Sequence, residues 1–109
     1  MKKIAYIVSK DSTAELLEES ILAPLLSKEQ AWPVKGVFFI GDGVYHLVKG
    51  SRTAKIIFSL LDNDDVEIYA CRMSLKNRKL LNIISKKVKA VSLNDFYKMM
   101  SDVDHIISF

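Results

Sequence analysis

The sequence predicts an α/β fold, a three-layer α/β/α sandwich in which helices cover both faces of a five-stranded, mainly parallel sheet. Strand and helix patterns alternate from one end of the chain to the other. The second predicted strand contains Val37-Phe38-Phe39-Ile40, which is apolar on both faces, as a strand between two helix layers must be. The 109 residues contain no linker, repeat or low-complexity segment. We therefore expect a single domain over residues 1–109.

The strands are predicted from short apolar runs that are rich in β-forming residues. Along the chain these runs are residues 4–8, 34–40, 66–71, 88–91 and 105–109.

The helices are predicted from serines that precede apolar residues at helical spacing. These serines are Ser12, Ser51, Ser74 and Ser92. Ser12-Thr13-Ala14-Glu15 has the form of a capping box, and Pro24 should kink or end the helix that follows. The helix after Ser74 is expected to carry Leu75, Leu80, Leu81 and Ile84, and the helix after Ser92 to carry Phe96, Met99, Met100 and Val103.

The composition is that of an ordinary globular protein, with 50% hydrophobic and 27% charged residues. A single cysteine cannot form a disulfide within the chain, which suits a reducing compartment. The first apolar run has five residues, whereas a signal-peptide core needs about 7–15 and a membrane-spanning helix about 20. We expect a cytoplasmic protein with no membrane association.

Two unusual segments follow neighbouring predicted strands. Ligands bind beyond the carboxyl ends of the strands in open parallel sheets, and residues 41–46 and 71–74 both lie there. Cys71 precedes a predicted helix and adjoins Arg72, and a helix start and nearby cations favour the reactive thiolate. The alternative is that Cys71 is a small buried core residue, which is common for unpaired cysteines. The absence of a second cysteine excludes two-thiol redox chemistry within one chain.

The segment after the second strand gives weaker signals. Gly41-Asp42-Gly43 could form a substrate loop, or a tight turn in which the glycines supply positive φ. His46 could be an acid or base, although an exposed or capping role is the commoner one. Lone histidine and cysteine residues have no metal-ligand spacing, so we expect neither a metal nor another cofactor.

The chain has a net charge of +3, and a basic stretch lies between Glu67 and Asp95. It holds seven basic residues and no acid: Arg72, Lys76, Arg78, Lys79, Lys86, Lys87 and Lys89. The stretch either forms a solvated face or attracts an acidic partner protein. No aromatic residue lies between Tyr69 and Phe96 to stack on bases, so direct nucleic-acid binding is not expected.

Three segments together resemble the DsrE/DsrF-like family of small sulfur-relay proteins. They are Val37-Phe38-Phe39-Ile40-Gly41-Asp42-Gly43-Val44, then Val66 to Cys71 with Ser74 and Arg78, and last Val103-Asp104-His105-Ile106-Ile107-Ser108-Phe109. The chain departs from the family at Lys79, where a glycine usually follows the arginine. The first turn, Ser9-Lys10-Asp11-Ser12-Thr13, also lacks the usual glycine-rich run.

The resemblance implies an α/β/α fold and homo-oligomers, either trimers or hexamers. It also implies that Cys71 carries a persulfide, which it receives from a donor protein and passes to an acceptor protein. The residues expected to line the pocket around Cys71 are Asp42, Gly43, Tyr45, His46, Arg72, Ser74 and Arg78. The alternative hypothesis is a non-catalytic oligomeric module that binds a small ligand or a partner, with an incidental cysteine.

Overall fold

The computed structural model describes residues 3–22, 33–48, 50–61, 66–85 and 87–109. The strands are β1 (Ile4–Val8), β2 (Val34–Phe39), β3 (Glu67–Cys71), β4 (Lys89–Val91) and β5 (His105–Ser108). The α-helices are α1 (Ala14–Leu17), α2 (Arg52–Leu61), α3 (Arg72–Asn77) and α4 (Leu93–Met99). A 3-10 turn (Asp11–Thr13) precedes α1, a π-helical segment (Glu18–Leu22) follows it, and a 3-10 helix (Gly41–Leu47) follows β2. Pro24, predicted to kink or end the first helix, lies outside the described residues.

The five strands form one sheet in the order β4-β3-β2-β1-β5, and every pairing is parallel. The predicted α/β fold class is therefore confirmed. Strand boundaries differ from the predicted ones by no more than one residue at either end. Because all strands run the same way, the segments that follow β1, β2, β3 and β4 emerge at one edge of the sheet.

Side chains alternate between the two faces of the sheet, and each face has its own apolar core. The first face is packed mainly by the helical segments that follow β1, β2 and β3, and its core includes Leu17, Leu47, Ile57 and Leu75. The second face carries Ala5, Ile7, Phe38, Tyr69 and Cys71. There α4 contributes Phe96, whose ring lies 4.7 Å from Phe38 and 5.7 Å from Tyr69, measured between centroids. Helices thus cover both faces, as the three-layer prediction required.

Serine caps begin two helices as predicted. Ser51 Oγ accepts a hydrogen bond from the amide of Ala54 at 3.0 Å, and Ser92 Oγ accepts one from the amide of Asp95 at 3.1 Å. Such caps satisfy amides that have no partner within the helix.

The prediction for the third helix is wrong at both ends. α3 begins at Arg72 instead of after Ser74, and Cys71 is its N-cap residue. Beyond Asn77 the amide of Lys79 bonds the carbonyl of Lys76, and that of Leu80 bonds the carbonyl of Leu75. This pair of bonds is a Schellman motif, which closes a helix at a residue with positive φ. Lys79 has φ 57° and is the single non-glycine residue with positive φ among the described residues.

The loop before β5 is held by charged groups. The ammonium of Lys35 lies 2.5 Å from a carboxylate oxygen of Asp102 and donates to the carbonyl of Met99 at 3.0 Å. Lys3 lies 3.5 Å from the other carboxylate oxygen. The hydrogen bond from Lys35 lowers the pKa of Asp102 below its usual value. These contacts fix the start of β5 against β1 and β2.

Candidate functional site

Cys71 lies at the end of β3, where it pairs with Val91 of β4. Its side chain belongs to the second face of the sheet, is 8% exposed and makes no hydrogen bond that caps α3. The thiol is therefore buried by the measure of exposure, yet it forms part of the wall of a cavity of about 430 Å³. A partner or ligand that enters this cavity reaches Cys71.

The cavity lies between two walls of different composition. One wall is the start of α3, with Arg72, Met73 and Lys76. The other wall is the end of β4 and the start of α4, and it consists of Val91, Ser92, Leu93 and Asp95. Both cations therefore lie on the first wall, and the carboxylate lies on the second.

The guanidinium of Arg72 is fixed beside the cavity. Its Nη2 donates to the carbonyl of Ala90 at 2.9 Å, which links α3 to β4. Met73, by contrast, is 63% exposed although it is apolar. The mouth of the cavity thus carries a fixed positive charge and an accessible thioether.

A second group of predicted site residues lies where the Gly41–Leu47 helix meets α3. The Nη2 of Arg78 donates to Asp42 Oδ1 at 2.9 Å, its Nε donates to the same oxygen at 3.2 Å, and its Nη1 donates to the carbonyl of Ser74 at 3.1 Å. The guanidinium carbon lies 5.9 Å from the centroid of the Tyr45 ring. The hydroxyl of buried Ser74 accepts a hydrogen bond from the amide of Gly41 at 2.9 Å. These contacts fasten α3 to the turn after β2.

The two glycines of that turn act in different ways. Gly41 has φ +59°, as the tight-turn interpretation predicted. Gly43 has no positive φ, but a Cβ added to it would lie 2.1 Å from the carbonyl oxygen of Val8. Gly43 is thus required by the close approach of the turn to the end of β1.

His46 is buried, with 5% of its surface exposed, so the exposed role considered for it is wrong. Its Nε2 lies 2.8 Å from the carbonyl oxygen of Lys10, and this geometry makes Nε2 the proton donor. The ring centroid lies 6.2 Å from that of Phe39. The contacts of His46 join the Gly41–Leu47 helix to the segment that follows β1.

Of the predicted pocket residues, Arg72 lines the cavity together with Cys71. The residues lining it do not include Asp42, Gly43, Tyr45, His46, Ser74 or Arg78. Met73 belongs to the predicted segment 71–74, whereas Val91, Ser92, Leu93 and Asp95 were not predicted at the site and Lys76 was predicted only as part of the basic stretch. The segment Ser92-Leu93-Asn94-Asp95 also follows a predicted strand, and this position could have indicated that it lines the cavity.

The basic stretch is partly neutralised by ion pairs. Arg78 pairs with Asp42, and Lys89 lies 3.5 Å from a carboxylate oxygen of Glu67. Lys86 lies outside the described residues. Near the cavity the positive charge is therefore that of Arg72 and Lys76.

The described residues provide neither a group of metal ligands nor a membrane-spanning helix. Within residues 3–22, 33–48, 50–61, 66–85 and 87–109, no three histidine, cysteine, aspartate or glutamate side chains are grouped so that they could hold a metal ion. None of the helices in these ranges is long and apolar enough to cross a membrane.

A parallel sheet with helices on both faces places the protein among the open-sheet α/β proteins, and the cavity beside Cys71 lies at the carboxyl edge of that sheet. A model of the DsrE/DsrF-like family matches residues 2–109. The chain belongs to the DsrE/DsrF-like family.

Sequence similarity to individual proteins is partial. The chain is 46% identical over 52 residues to a protein named "Protein TusC homolog" in each of two Vibrio vulnificus strains, YJ016 and CMCP6. Each match covers 40% of this chain and spans 44% of the length of the relative. The relatives thus match the chain over less than half of their own length.

Solved structures share the fold at low sequence identity. The ychN protein from E. coli superposes with a TM-score of 0.75 at 16% identity, over 100% of both chains. A conserved protein of unknown function from Bacteroides thetaiotaomicron gives a TM-score of 0.76 at 16% identity, over 99% of this chain and 95% of that one. A protein of unknown function from Methanobacterium thermoautotrophicum gives 0.69 at 18% identity, over 97% of each chain. These similarities support the fold assignment.

Proposed function

We propose that the protein is a sulfur carrier that holds a persulfide on Cys71 and passes its outer sulfur to a partner protein. The observation that carries the proposal is the place of Cys71, whose thiol lies on the wall of a cavity at the carboxyl edge of the sheet. Membership of the DsrE/DsrF-like family and the similarity to TusC homologs support the same reading.

The chemistry is an exchange between two sulfur atoms. The Cys71 thiolate attacks the outer sulfur of a donor persulfide, R–S–SH. The new S–S bond forms on Cys71, the old one breaks, and the donor leaves as the thiolate R–S⁻. The products are Cys71–S–SH and R–S⁻, so atoms and electrons balance without an external oxidant. Attack by an acceptor thiolate reverses the sequence and releases Cys71.

A single cysteine suits a carrier. Two neighbouring thiols would resolve a persulfide into a disulfide, whereas one thiol holds the sulfur until a thiol from another molecule arrives. The proposal therefore requires a sulfur donor and an acceptor, and it places the protein in the cytoplasm, where such thiols stay reduced.

We further expect self-association into trimers or hexamers. Several large apolar side chains remain exposed, among them Met73 at 63%, Ile83 at 48% and Tyr97 at 48%. Burial of such residues is a usual source of stability in oligomers. Light scattering across the micromolar range should report a species larger than a monomer.

Mass spectrometry tests the carrier proposal directly. Wild-type protein incubated with a cysteine desulfurase and cysteine should gain one sulfur atom, and reductant should remove it. Because Cys71 is the sole cysteine, Cys71→Ser should gain none, and Cys71→Ala is a second control that fills the site with an apolar group. A wild-type protein that gains no sulfur, while the desulfurase loads a known acceptor in the same tube, would favour the non-catalytic binding module instead.

A further inference from the structure

The two walls of the Cys71 cavity carry opposite charges that have no partner among the described residues. Lys76 lies on the α3 wall and Asp95 on the α4 wall. Neither side chain makes a hydrogen bond or ion pair with another described residue, and both residues are exposed. The backbone amide of Asp95 donates to Ser92, but its carboxylate stays available. The lining of the cavity thus includes an ammonium, a carboxylate and a thiol.

The size and lining of the cavity suit a small molecule. Ligand pockets commonly have volumes of about 300–1,000 Å³ and combine an apolar lining with a few charged groups that fix orientation. This cavity has about 430 Å³ and includes Met73, Val91 and Leu93. An amino acid or a short peptide fits such a volume, with apolar surface against these three side chains.

From this arrangement we infer that the sulfur exchanged with Cys71 is carried by a small zwitterionic thiol, such as the persulfide of free cysteine. Its carboxylate pairs with Lys76, its ammonium pairs with Asp95, and its sulfur meets the thiol of Cys71. This inference rests on the proposed function and names the substrate class for the same site. The reaction is the balanced exchange given above, with R as the amino acid.

Charge complementarity separates this occupant from others. A purely anionic ligand would be attracted by Lys76 and Arg72 but repelled by Asp95. A purely cationic ligand would be attracted by Asp95 but repelled by Lys76 and Arg72. Arg72 is already bonded to the carbonyl of Ala90, so Lys76 is the cation with more freedom to move toward a carboxylate. A zwitterionic ligand can form a favourable ion pair with each of the two walls at the same time.

The test uses three persulfides that differ in charge. Cysteine persulfide has both charged groups, N-acetylcysteine persulfide lacks the ammonium, and cysteamine persulfide lacks the carboxylate. The rate of sulfur loading on Cys71 is measured for wild type, Lys76→Gln and Asp95→Asn by mass spectrometry. The ratio of wild-type to variant rate for each donor cancels the intrinsic reactivity of that donor.

The inference predicts a crossed pattern. Asp95→Asn should slow loading from cysteine and cysteamine persulfides, but should speed loading from N-acetylcysteine persulfide slightly, because the carboxylate that repels this donor is gone. Lys76→Gln should slow loading from cysteine and N-acetylcysteine persulfides, but should speed loading from cysteamine persulfide slightly, because the ammonium that repels it is gone. Exposed ion pairs contribute up to about 1 kcal/mol, so each effect should be about two- to fivefold, and it should shrink at high salt. Variants that slow all three donors equally, or none of them, would overturn the inference.

Controls separate charge from stability. Lys98→Gln on α4 and Glu15→Gln on α1 change exposed charges of the same kinds away from the cavity, and neither should alter the donor pattern. Asp95 lies in the first turn of α4, where a negative charge favours the helix, so the melting temperature of Asp95→Asn is measured as well.

A binding experiment distinguishes this inference from the carrier proposal. S-methylcysteine has both charges but no transferable sulfur, and N-acetyl-S-methylcysteine lacks the ammonium. Titrated into wild-type protein, the first should shift the amide resonances of Ser92, Leu93 and Asp95 at lower concentration than the second. Binding without any sulfur loading would refute the carrier proposal and keep the amino-acid site. Loading from all donors without selective binding would refute the site and keep the carrier.

Discussion

Replacing Lys79 with glycine should stabilise the protein. Lys79 ends α3 with φ 57°, in a left-handed region that costs a residue with a Cβ roughly 1–2 kcal/mol. Glycine adopts this region without that cost, but it also makes the unfolded chain more flexible, which offsets about 0.4–1 kcal/mol. The net gain for Lys79→Gly is therefore about 0.5–1 kcal/mol in the free energy of unfolding.

Urea denaturation followed by circular dichroism measures this gain. With a slope of about 1–3 kcal/mol per molar urea, a gain of this size raises the midpoint by about 0.2–1 M while the slope stays constant. Both hydrogen bonds of the Schellman motif remain, because they involve backbone atoms of Lys79 and Leu80.

Two matched variants identify the cause. Lys79→Ala removes the charge and the long side chain but keeps the Cβ, so it should bring none of the gain. Lys55→Gly places glycine in the middle of α2, at an exposed position, and should cost about 1 kcal/mol. If Lys79→Gly were no more stable than Lys79→Ala, backbone strain at Lys79 would be ruled out as a determinant of stability.

Three further changes test other parts of the fold. Gly43→Ala should lower the free energy of unfolding by about 2–4 kcal/mol, or prevent folding, because its Cβ would lie 2.1 Å from the carbonyl oxygen of Val8. Thermal unfolding measures this loss, and a near-neutral effect would contradict the prediction. Ser74→Ala should cost about 1–3 kcal/mol, since the amide of Gly41 loses its acceptor, and Ser74→Thr should retain part of the stability. The hydrogen bond from Lys35 lowers the pKa of Asp102 in the folded protein. The ionised carboxylate of Asp102 therefore contributes fully to the free energy of unfolding above its unfolded-state pKa, and this contribution is lost as pH falls through its folded-state pKa. Stability at acid pH should therefore fall less steeply for Asp102→Asn than for wild type, and parallel pH profiles would refute this.

The fold could be predicted because local patterns and sheet geometry agree. The apolar run that becomes β2 needs a helix layer on each side, and the structure provides both. Caps at Ser51 and Ser92 were predictable because a side-chain oxygen three residues before a helical amide is a local signal.

The error in α3 shows what a local pattern cannot decide. Ser74 has the residue type of a cap, and leucines follow it at helical spacing, yet its hydroxyl accepts a hydrogen bond from Gly41 in a distant turn. A lysine by itself gives no signal for positive φ; the signal at position 79 was the glycine that the resembling family usually has there. At Ser74 a tertiary contact thus outweighed the local pattern.

The sequence prediction brought Cys71 and residues 41–46 to one edge of the sheet, but without regard to the two faces of the sheet. Ala70 belongs to the core of the first face, and its neighbour Cys71 belongs to that of the second. The Gly41–Leu47 helix packs on the first face through Val44 and Leu47, so its side chains do not share the cavity with Cys71. Strand alternation could have revealed this separation. The adjacency of β4 to β3 could not be read from the sequence alone.

Because the Cys71 cavity and the turn after β2 belong to different faces of the sheet, α3 is the element that connects them. Its residues Arg72, Met73 and Lys76 line the Cys71 cavity, while Ser74 bonds the turn after β2 through its hydroxyl. A contribution of that turn to the proposed sulfur transfer must therefore pass through the position of α3. A short helix of six residues has little stability of its own, so its contacts at both ends determine where the cavity wall stands. Weakening the bond between Ser74 and the turn should thus alter access to Cys71 without changing any residue that lines the cavity.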